Sequence, residues 1–567
     1  MYKCFSFANG GFEPGFFERV KKIVLRKAGE LCGVEEGEGL LFDLRFDETV
    51  APDGYRVAKT ETGVRVSAST RLGVLSGCGR VLQEGVFDDD GFEPGGFEGE
   101  YAPKHEFVGV YFASHFGNYY VNAPVDEIIR YVEDIALWGT NFIRVWFDFH
   151  HYTGIDDPKA QPMLERLELI LSTGKYLGMK TAYVSLANEG YSTTPDEIRA
   201  EWWVQNGYHA KPCGHYHTEI CPNKKGGMEL IIKNRLELFE RFRNVPPALL
   251  SLGVYDQGGC TCAKCAPWAS NGYIRTLEAL VPEIKKRYPD CKICFSVWYL
   301  DHFIKGEWEG VYKAFETNEF LQKNIEYMAG MNMNSMPENP VYAEKLMKGI
   351  GPGGKPLLGF PEISMQGCTP WGGFGANPYP QRLQKDWDNT GHVQEGMWCY
   401  SEGRFEDINK FITVGLYQGR YVSAQEAMRG YVRAELSSRY ADEIMELLNI
   451  LEETLPRRRR NLAERDENEV IYEPVNPDKV EEAARKAQAL DAKLPQRVRN
   501  GWRWRLIYVR AMADLELKKA GYYIREGCEK YLHELERLYY TNDDTYLVVS
   551  PVTRSAIRRD YEHHQIV

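Results

Sequence analysis

The stretch Ala248-Leu-Leu-Ser-Leu-Gly-Val-Tyr255-Asp256-Gln-Gly-Gly-Cys260-Thr-Cys262-Ala-Lys-Cys265-Ala-Pro-Trp268 has two halves of different chemistry. Leu249–Tyr255 is an apolar run bounded by polar residues, the pattern of a buried strand, and it delivers a carboxylate, Asp256, to its C-terminal end. Cys260, Cys262 and Cys265 then follow at the spacing of a metal knuckle. On either side, residues 228–242 and 272–288 carry apolar residues at helical spacing. The stretch is therefore one strand in a strand–helix series.

Outward from it the same rhythm repeats. Strands are predicted at 107–112, 142–147, 181–187, 249–255, 293–299, 325–331, 357–363 and 393–399, each followed by a helix (125–138, 163–177, 228–242, 272–288, 308–321, 341–347, 380–387 and 405–417). Such alternation requires right-handed crossovers and a parallel sheet, and eight units close a (β/α)8 TIM barrel. A doubly wound sheet would carry Gly-x-Gly-x-x-Gly after an early strand, and the sequence has none there. Residues 1–102 read as a small N-terminal α/β domain ending in a linker at 87–99. Residues 103–422 form the barrel, and 423–567 a C-terminal helical domain with helices at 424–455, 477–490, 496–520 and 527–538. The expected class is thus α/β, a barrel with two flanking domains.

Composition narrows the function. The net charge of -12 argues against a nucleic-acid surface, and Arg457–Arg460 reads as a solvated face or linker between acidic helices. No run approaches the ~18 apolar residues of a membrane span. The N-terminus lacks a basic and an apolar signal region, and the 13 cysteines are odd in number and scattered, so a reducing, cytoplasmic setting is expected. The 12 Trp and 35 Tyr suit either a large core or sugar-stacking surfaces.

A βα barrel places its active site at the C-terminal strand ends. The residues there are Arg144, Trp146, Asp148 and His150 on strand two, Glu189 on strand three, and Tyr255 and Asp256 on strand four. Trp298 and Tyr299 end strand five, Glu362 ends strand seven with Trp371 in its loop, and Trp398 and Glu402 lie on strand eight. Carboxylates supply acid, base or nucleophile, and indoles stack on pyranose faces. Glycoside hydrolysis needs two such carboxyls. Glu362 and Glu402 are the first candidates, with Asp256 and Glu189 in support. Each has a structural alternative: Glu402 could cap the following helix, Glu189 its loop, and Asp256 its turn. Arg144, Trp146, Asp148, His150, Tyr255, Trp298, Tyr299, Trp371 and Trp398 are the candidate substrate contacts.

The thiols suggest a separate site. Three thiolates suit a tetrahedral zinc that needs a fourth N or S ligand. Cys221 is favoured because it approaches strand four from the preceding helix, with Cys213, His215 and His217 as alternatives. Four sulfurs would close the shell, making the zinc structural; no organic cofactor is expected.

The layout resembles that of the alpha-glucuronidases and beta-hexosaminidase-like glycoside hydrolases. The resemblance rests on Gly54-Tyr-Arg-Val, Gly63-Val-Arg-Val-Ser-Ala and Arg71-Leu-Gly-Val, which resemble their accessory domain. It rests also on Cys221-Pro-Asn, the Asp256–Trp268 segment and residues 400–409, which look like elements of bacterial barrel proteins related to that group. The hexosaminidase pattern has an Asp-Glu pair at strand four, and here the pair is Asp256-Gln257. The resemblance thus implies the fold and broad class, not the catalytic pair.

The expected function is an exo-acting glycosidase on small oligosaccharides, including ones with acidic sugars that Arg144 or His150 would neutralise. A non-catalytic carbohydrate-binding barrel and a metal-dependent hydrolase or isomerase are the alternatives. Neither nucleic acid nor membrane is an expected partner, and the helical domain is the candidate surface for a homo-oligomer.

Overall fold

The computed structural model describes residues 1–114, 118–201, 218–254, 258–302, 304–331, 336–364, 375–454, 457–459, 472–474, 476–521 and 525–541. Eight parallel strands close a barrel in chain order: Phe107–Phe112, Phe142–Trp146, Lys180–Leu186, Leu249–Gly253, Lys292–Ser296, Tyr327–Met331, Leu357–Gly359 and Gly396–Ser401. The expected barrel is present. Strand one closes on strand eight with Tyr111 beside Tyr400 and Phe112 beside Ser401.

The strands are apolar on both faces because one face meets helices and the other the barrel interior. Phe107, Tyr111, Phe142, Trp146, Val184, Leu186, Leu249, Cys294, Leu358, Trp398 and Tyr400 fill the interior. Phe107, Tyr111, Phe142, Trp146, Trp398 and Tyr400 are separated by even steps along their own strands, the period of a pleated sheet. Arg144 shares that parity between Phe142 and Trp146.

The N-terminal domain is a six-stranded mixed sheet in the order Glu35–Glu36, Cys4–Gly10, Leu40–Phe46, Gly63–Ala68, Tyr55–Lys59, Gly99–Tyr101, with helices Pro14–Cys32 and Arg71–Glu84. Two features differ from the sequence reading. Cys4–Gly10 is a strand inside the sheet, and the expected linker contains the hairpin Val86–Asp88/Gly91–Glu93 before its last strand pairs with Tyr55–Val57. Phe87 and Phe92 anchor that segment at 1% exposure each, so Gly and Pro there mark turns within the domain.

Three predicted helices are broken, the first being residues 496–520, which divide at Gly501 into Gln496–Asn500 and Trp502–Lys519. Residues 308–321 divide at Asn318, whose side chain accepts from the backbone of Phe320 and Leu321 and starts a new helix, Glu319–Asn324. Residues 424–455 divide into Ala424–Glu435 and Ala441–Glu453. Ser437 turns the chain by accepting from the Tyr440 amide at 3.2 Å, the local competition that makes serine a poor mid-helix residue.

A buried ionic network joins the three parts. Arg503 of helix Trp502–Lys519 reaches Asp134 and Asp407 at 2.9 Å and Glu435 at 3.2 Å. Lys27 of the N-terminal domain meets Glu435, and Arg26 meets Asp134 at 2.8 Å. Tyr131 and Tyr431 donate to the two oxygens of Asp407 at 2.6 and 2.7 Å. Burial opposes ionisation of Asp134, but Lys27, Arg26 and Arg503 hold its carboxyl well below the usual range. Among the described residues no helix is long and apolar enough to cross a membrane.

Candidate active site and cysteine cluster

Glu362 and Glu402 continue the inward alternation past the ends of strands seven and eight. Glu362 lies in register beside Tyr400, so the two glutamates sit on neighbouring strands two residues out of step. Strand spacing and rise put such a pair roughly 8 Å apart at the backbone, within reach of two long side chains. Between them the Tyr400 hydroxyl donates to Glu402 Oε1 at 2.8 Å. Burial, then the carboxylates of Glu402 and Glu362, raise the Tyr400 hydroxyl well above the ordinary phenol range, so it stays a donor.

Glu406 stands at the N-cap position of helix Asp407–Tyr417 without a side-chain cap bond to it, and its carboxylate instead holds the turn before the helix. Glu406 Oε1 accepts from the Glu402 and Gly403 amides at 2.6 and 2.7 Å and from Ser401 Oγ at 2.8 Å. Ser401 Oγ is in turn 2.6 Å from the Tyr120 hydroxyl. The C-terminal domain braces the same turn, since the Tyr539 hydroxyl donates to the Glu402 carbonyl at 2.6 Å. Lys410 donates to the Gly403 carbonyl and to the Tyr131 hydroxyl. Neither Glu406 nor Tyr539 was among the sequence candidates. The Glu at the fourth position after Glu402 was the available signal for the first; no local signal marks the second, which comes from a distant helix.

Strand seven is held from behind. Asn409 Nδ2 donates to the Asn377 carbonyl at 2.8 Å and the Ile363 carbonyl at 3.3 Å, and Ser364 Oγ donates to the Tyr400 carbonyl at 3.1 Å.

Across the mouth, strands two and three bring a second carboxyl pair together. Asp148 accepts from His150 Nδ1 and lies 3.4 Å from His151 Nε2. Glu189 Oε1 accepts from the Phe149 amide at 2.7 Å. Burial and then the Asp148 charge raise the Glu189 carboxyl well above its ordinary value. The Arg235 guanidinium fixes the turn by donating to the Glu189 and Leu186 carbonyls. Burial lowers His151, but the Asp148 charge and hydrogen bond outweigh it and raise its net value. Asp148, His150 and His151 also have ligand atoms within 4.8 Å of one another.

Trp298 and Tyr299 border the mouth at strand five, both half-buried. Trp298 packs edge-on against Phe360, two residues before Glu362, with centroids 5.4 Å apart. Trp146 and Trp398 lie in the barrel interior at 1% and 2% exposure, where they form the floor. Arg144 lies with them, its guanidinium 4.6 Å over Trp398 and 5.3 Å over Tyr111, and burial lowers it to about 10. Tyr255, Asp256, Trp371, Cys213, His215 and His217 lie outside the described residues.

The cysteines converge as the spacing suggested. The sulfurs of Cys221, Cys260, Cys262 and Cys265 lie within 4.8 Å of one another. Cys221 Sγ is 3.8 Å from Cys262 Sγ and 3.9 Å from Cys265 Sγ. The edge of a tetrahedron with metal–sulfur bonds of ~2.3 Å is ~3.8 Å, so the donor set fits a tetrathiolate metal. Asn223 Nδ2 donates to Cys265 Sγ at 2.9 Å and the Glu201 amide to Cys260 Sγ at 3.5 Å, contacts that favour thiolates. The Thr261 amide and hydroxyl both donate to the Glu201 carbonyl, tying the two loops together. Trp268 seals the cluster at 1% exposure; a Cβ on Gly259 would meet its indole at 2.2 Å.

With this geometry established, the class of fold is a (β/α)8 barrel between an α/β domain and a helical domain, and glycoside hydrolases of known structure share it. No protein-family model and no curated protein matches the chain. The structure is similar to a family GH115 4-O-methyl-alpha-glucuronidase with specificity for decorated arabinogalactans, at TM-score 0.59 and 9% identity over 99% of this chain and 78% of that one. It is similar to CpGH89 of Clostridium perfringens in complex with its substrate GlcNAc-alpha-1,4-galactose, at TM-score 0.56 and 12% identity over 92% of this chain. The match spans 65% of the length of CpGH89. A GH20 beta-N-acetylhexosaminidase from Streptomyces coelicolor matches at TM-score 0.50 and 14% identity, over 76% of this chain and 90% of that enzyme. These matches bear out the structural resemblance expected from the sequence motifs.

Proposed function

We propose that the chain is a glycoside hydrolase, exo-acting on small oligosaccharides, with Glu362 and Glu402 as its catalytic carboxyl pair. The observation that carries this reading is the placement of two inward glutamates on adjacent strand ends with a protonated Tyr400 bonded to one of them. A hydrogen bond to a carboxylate favours its charged form, and the two glutamates would divide the acid and the base or nucleophile roles between them. The fold shared with three glycoside hydrolases supports the class. The Asp148–Glu189 pair would bind sugar hydroxyls from the opposite side, and Asp256 and Trp371 remain candidates from the sequence. Arg144 would act through the floor on which Tyr111 and Tyr400 sit. An acidic sugar would meet His150 or His151 before Arg144. The setting we propose is cytoplasmic.

The four thiolates would hold a structural zinc. The ion would supply no chemistry to the reaction, because four sulfurs leave no coordination position for water. Cys221 secures the loop before the third barrel helix, and Cys260, Cys262 and Cys265 secure the loop after strand four.

The test is hydrolysis of a panel of aryl glycosides, including α-glucuronides and α- and β-N-acetylglucosaminides, by wild type, Glu362→Gln and Glu402→Gln. Turnover of one member by wild type, lost in both variants, is expected. Full activity in either variant removes that residue from the pair.

A further inference from the structure

Tyr299 and Asp301 have φ of 53° and 62°, the left-handed region that is unfavourable for a non-glycine residue. Two such residues in three, at the mouth end of strand five, require something that holds them. The holder is a reciprocal bracket. Asp301 Oδ1 accepts from the Glu307 amide at 2.6 Å and the Trp308 amide at 3.4 Å, capping helix Glu307–Thr317. Glu307 Oε2 accepts in return from the Asp301 amide at 3.0 Å.

Glu307 has a second partner. Its Oε1 accepts from the Ala269 amide at 3.1 Å, four residues after Cys265. The side chain is 7% exposed. One carboxylate therefore ties the cysteine loop to the strand-five turn. The product of that turn is the pair Trp298 and Tyr299, set edge to face with centroids 4.8 Å apart and an interplanar angle of 76°. Trp298 is also braced against Phe360 at 75°. Two half-buried rings in a set mutual orientation, one of them braced on Phe360, suit the apolar face of a pyranose.

We infer that Glu307 is a positioning residue for a pyranose-binding platform made of Trp298 and Tyr299, and that through Ala269 it makes the cysteine loop part of the platform's support. This deepens the glycosidase reading and rests on it. Glu307 touches no reacting atom; it acts by keeping Tyr299 and Asp301 in a conformation they would otherwise leave.

The experiment compares Trp298→Ala, Glu307→Ala and the double variant, reading KM and kcat on the aryl glycoside that wild type turns over best. Each single change is expected to raise KM about tenfold while kcat stays within about threefold, the loss that follows from a misplaced binding surface. The double variant is expected to be no worse than Trp298→Ala, because Glu307 acts through the platform. Unchanged KM in Glu307→Ala, or multiplied penalties in the double variant, overturns the inference. If Glu307→Ala does not fold, Glu307→Gln, which keeps one acceptor oxygen, takes its place with a smaller KM rise and the same non-additivity. If wild type hydrolyses no glycoside, the catalytic reading falls alone. Calorimetric titration with galactose, glucuronic acid and N-acetylglucosamine then supplies a Kd in place of KM, and absence of binding to all three sinks the platform too.

Discussion

The Tyr400 hydroxyl donates to Glu402 Oε1 at 2.8 Å while the Tyr400 backbone lies in register with Glu362. One residue thus links the two candidate carboxyls, by a side-chain bond to one and a strand pairing to the other. Removing the hydroxyl would take this hydrogen bond away from the Glu402 carboxyl. Tyr400→Phe is expected to lower kcat about tenfold to a hundredfold and to move the acid limb of the kcat/KM profile upward. A profile superimposable on wild type would show that Tyr400 does not tune Glu402.

Glu307 predicts a pH dependence of stability. Burial, against hydrogen bonds from Ala269 and Asp301, raises its carboxyl from 4.5 to about 7. A group whose folded value is raised stabilises the fold fully below its unfolded value, and that contribution is lost as pH rises through about 7. The difference corresponds to about 3 kcal/mol at most. Thermal melts of wild type should therefore fall in Tm between pH 4.5 and 8 more steeply than those of Glu307→Gln. Parallel curves for the two proteins would contradict this.

The cysteine cluster predicts metal at one equivalent per chain. Cys262→Ser, the variant at the most accessible of the four thiols, is expected to lose the metal and to lower Tm by several degrees. Elemental analysis with a melt checks it. Cobalt substitution should give the absorption of a tetrahedral thiolate site. A wild-type protein that carries no metal and is unaffected by chelator would mean four free thiols.

Arg503 predicts a stability effect without a site effect. It pairs with Asp134, Asp407 and Glu435 in a buried setting, and although Arg26 and Lys27 still face Asp134 and Glu435 without it, Asp407 loses its ion pair. Arg503→Met should cost about 3–5 kcal/mol in denaturant unfolding. A change below about 1 kcal/mol would place the network among those that break even against apolar packing.

Much of the fold was legible in the chain because each βα unit announces itself locally. Leu249–Gly253 is apolar, Gly272–Arg287 has helical spacing, and right-handed crossovers leave few ways to join eight such pairs. The convergence of Cys260, Cys262 and Cys265 is a matter of near neighbours, and Cys221 was found because it precedes the adjacent helix. Helix interruptions at Asn318 and Ser437 were less legible, since a polar residue on a helical face reads the same whether it caps or faces water.

What the sequence alone determined, then, is the series of strands, the residue types at their ends and the thiol knuckle. All depend on separations of a few residues, which the period of a strand or helix converts directly into geometry. Only the tertiary structure decided which end residues meet. Strand pairing set Glu362 beside Tyr400, a distant helix brought Tyr539 to the Glu402 turn, and burial separated Arg144, Trp146 and Trp398 in the floor from Trp298 and Tyr299 at the rim. Those outcomes depend on how far each side chain stands along the barrel axis and on what covers it. The opening stretch shows the division in one place: its knuckle was read from spacing, whereas the bond from Ala269, just past Trp268, to Glu307 joins residues 38 apart and exists only in the folded chain.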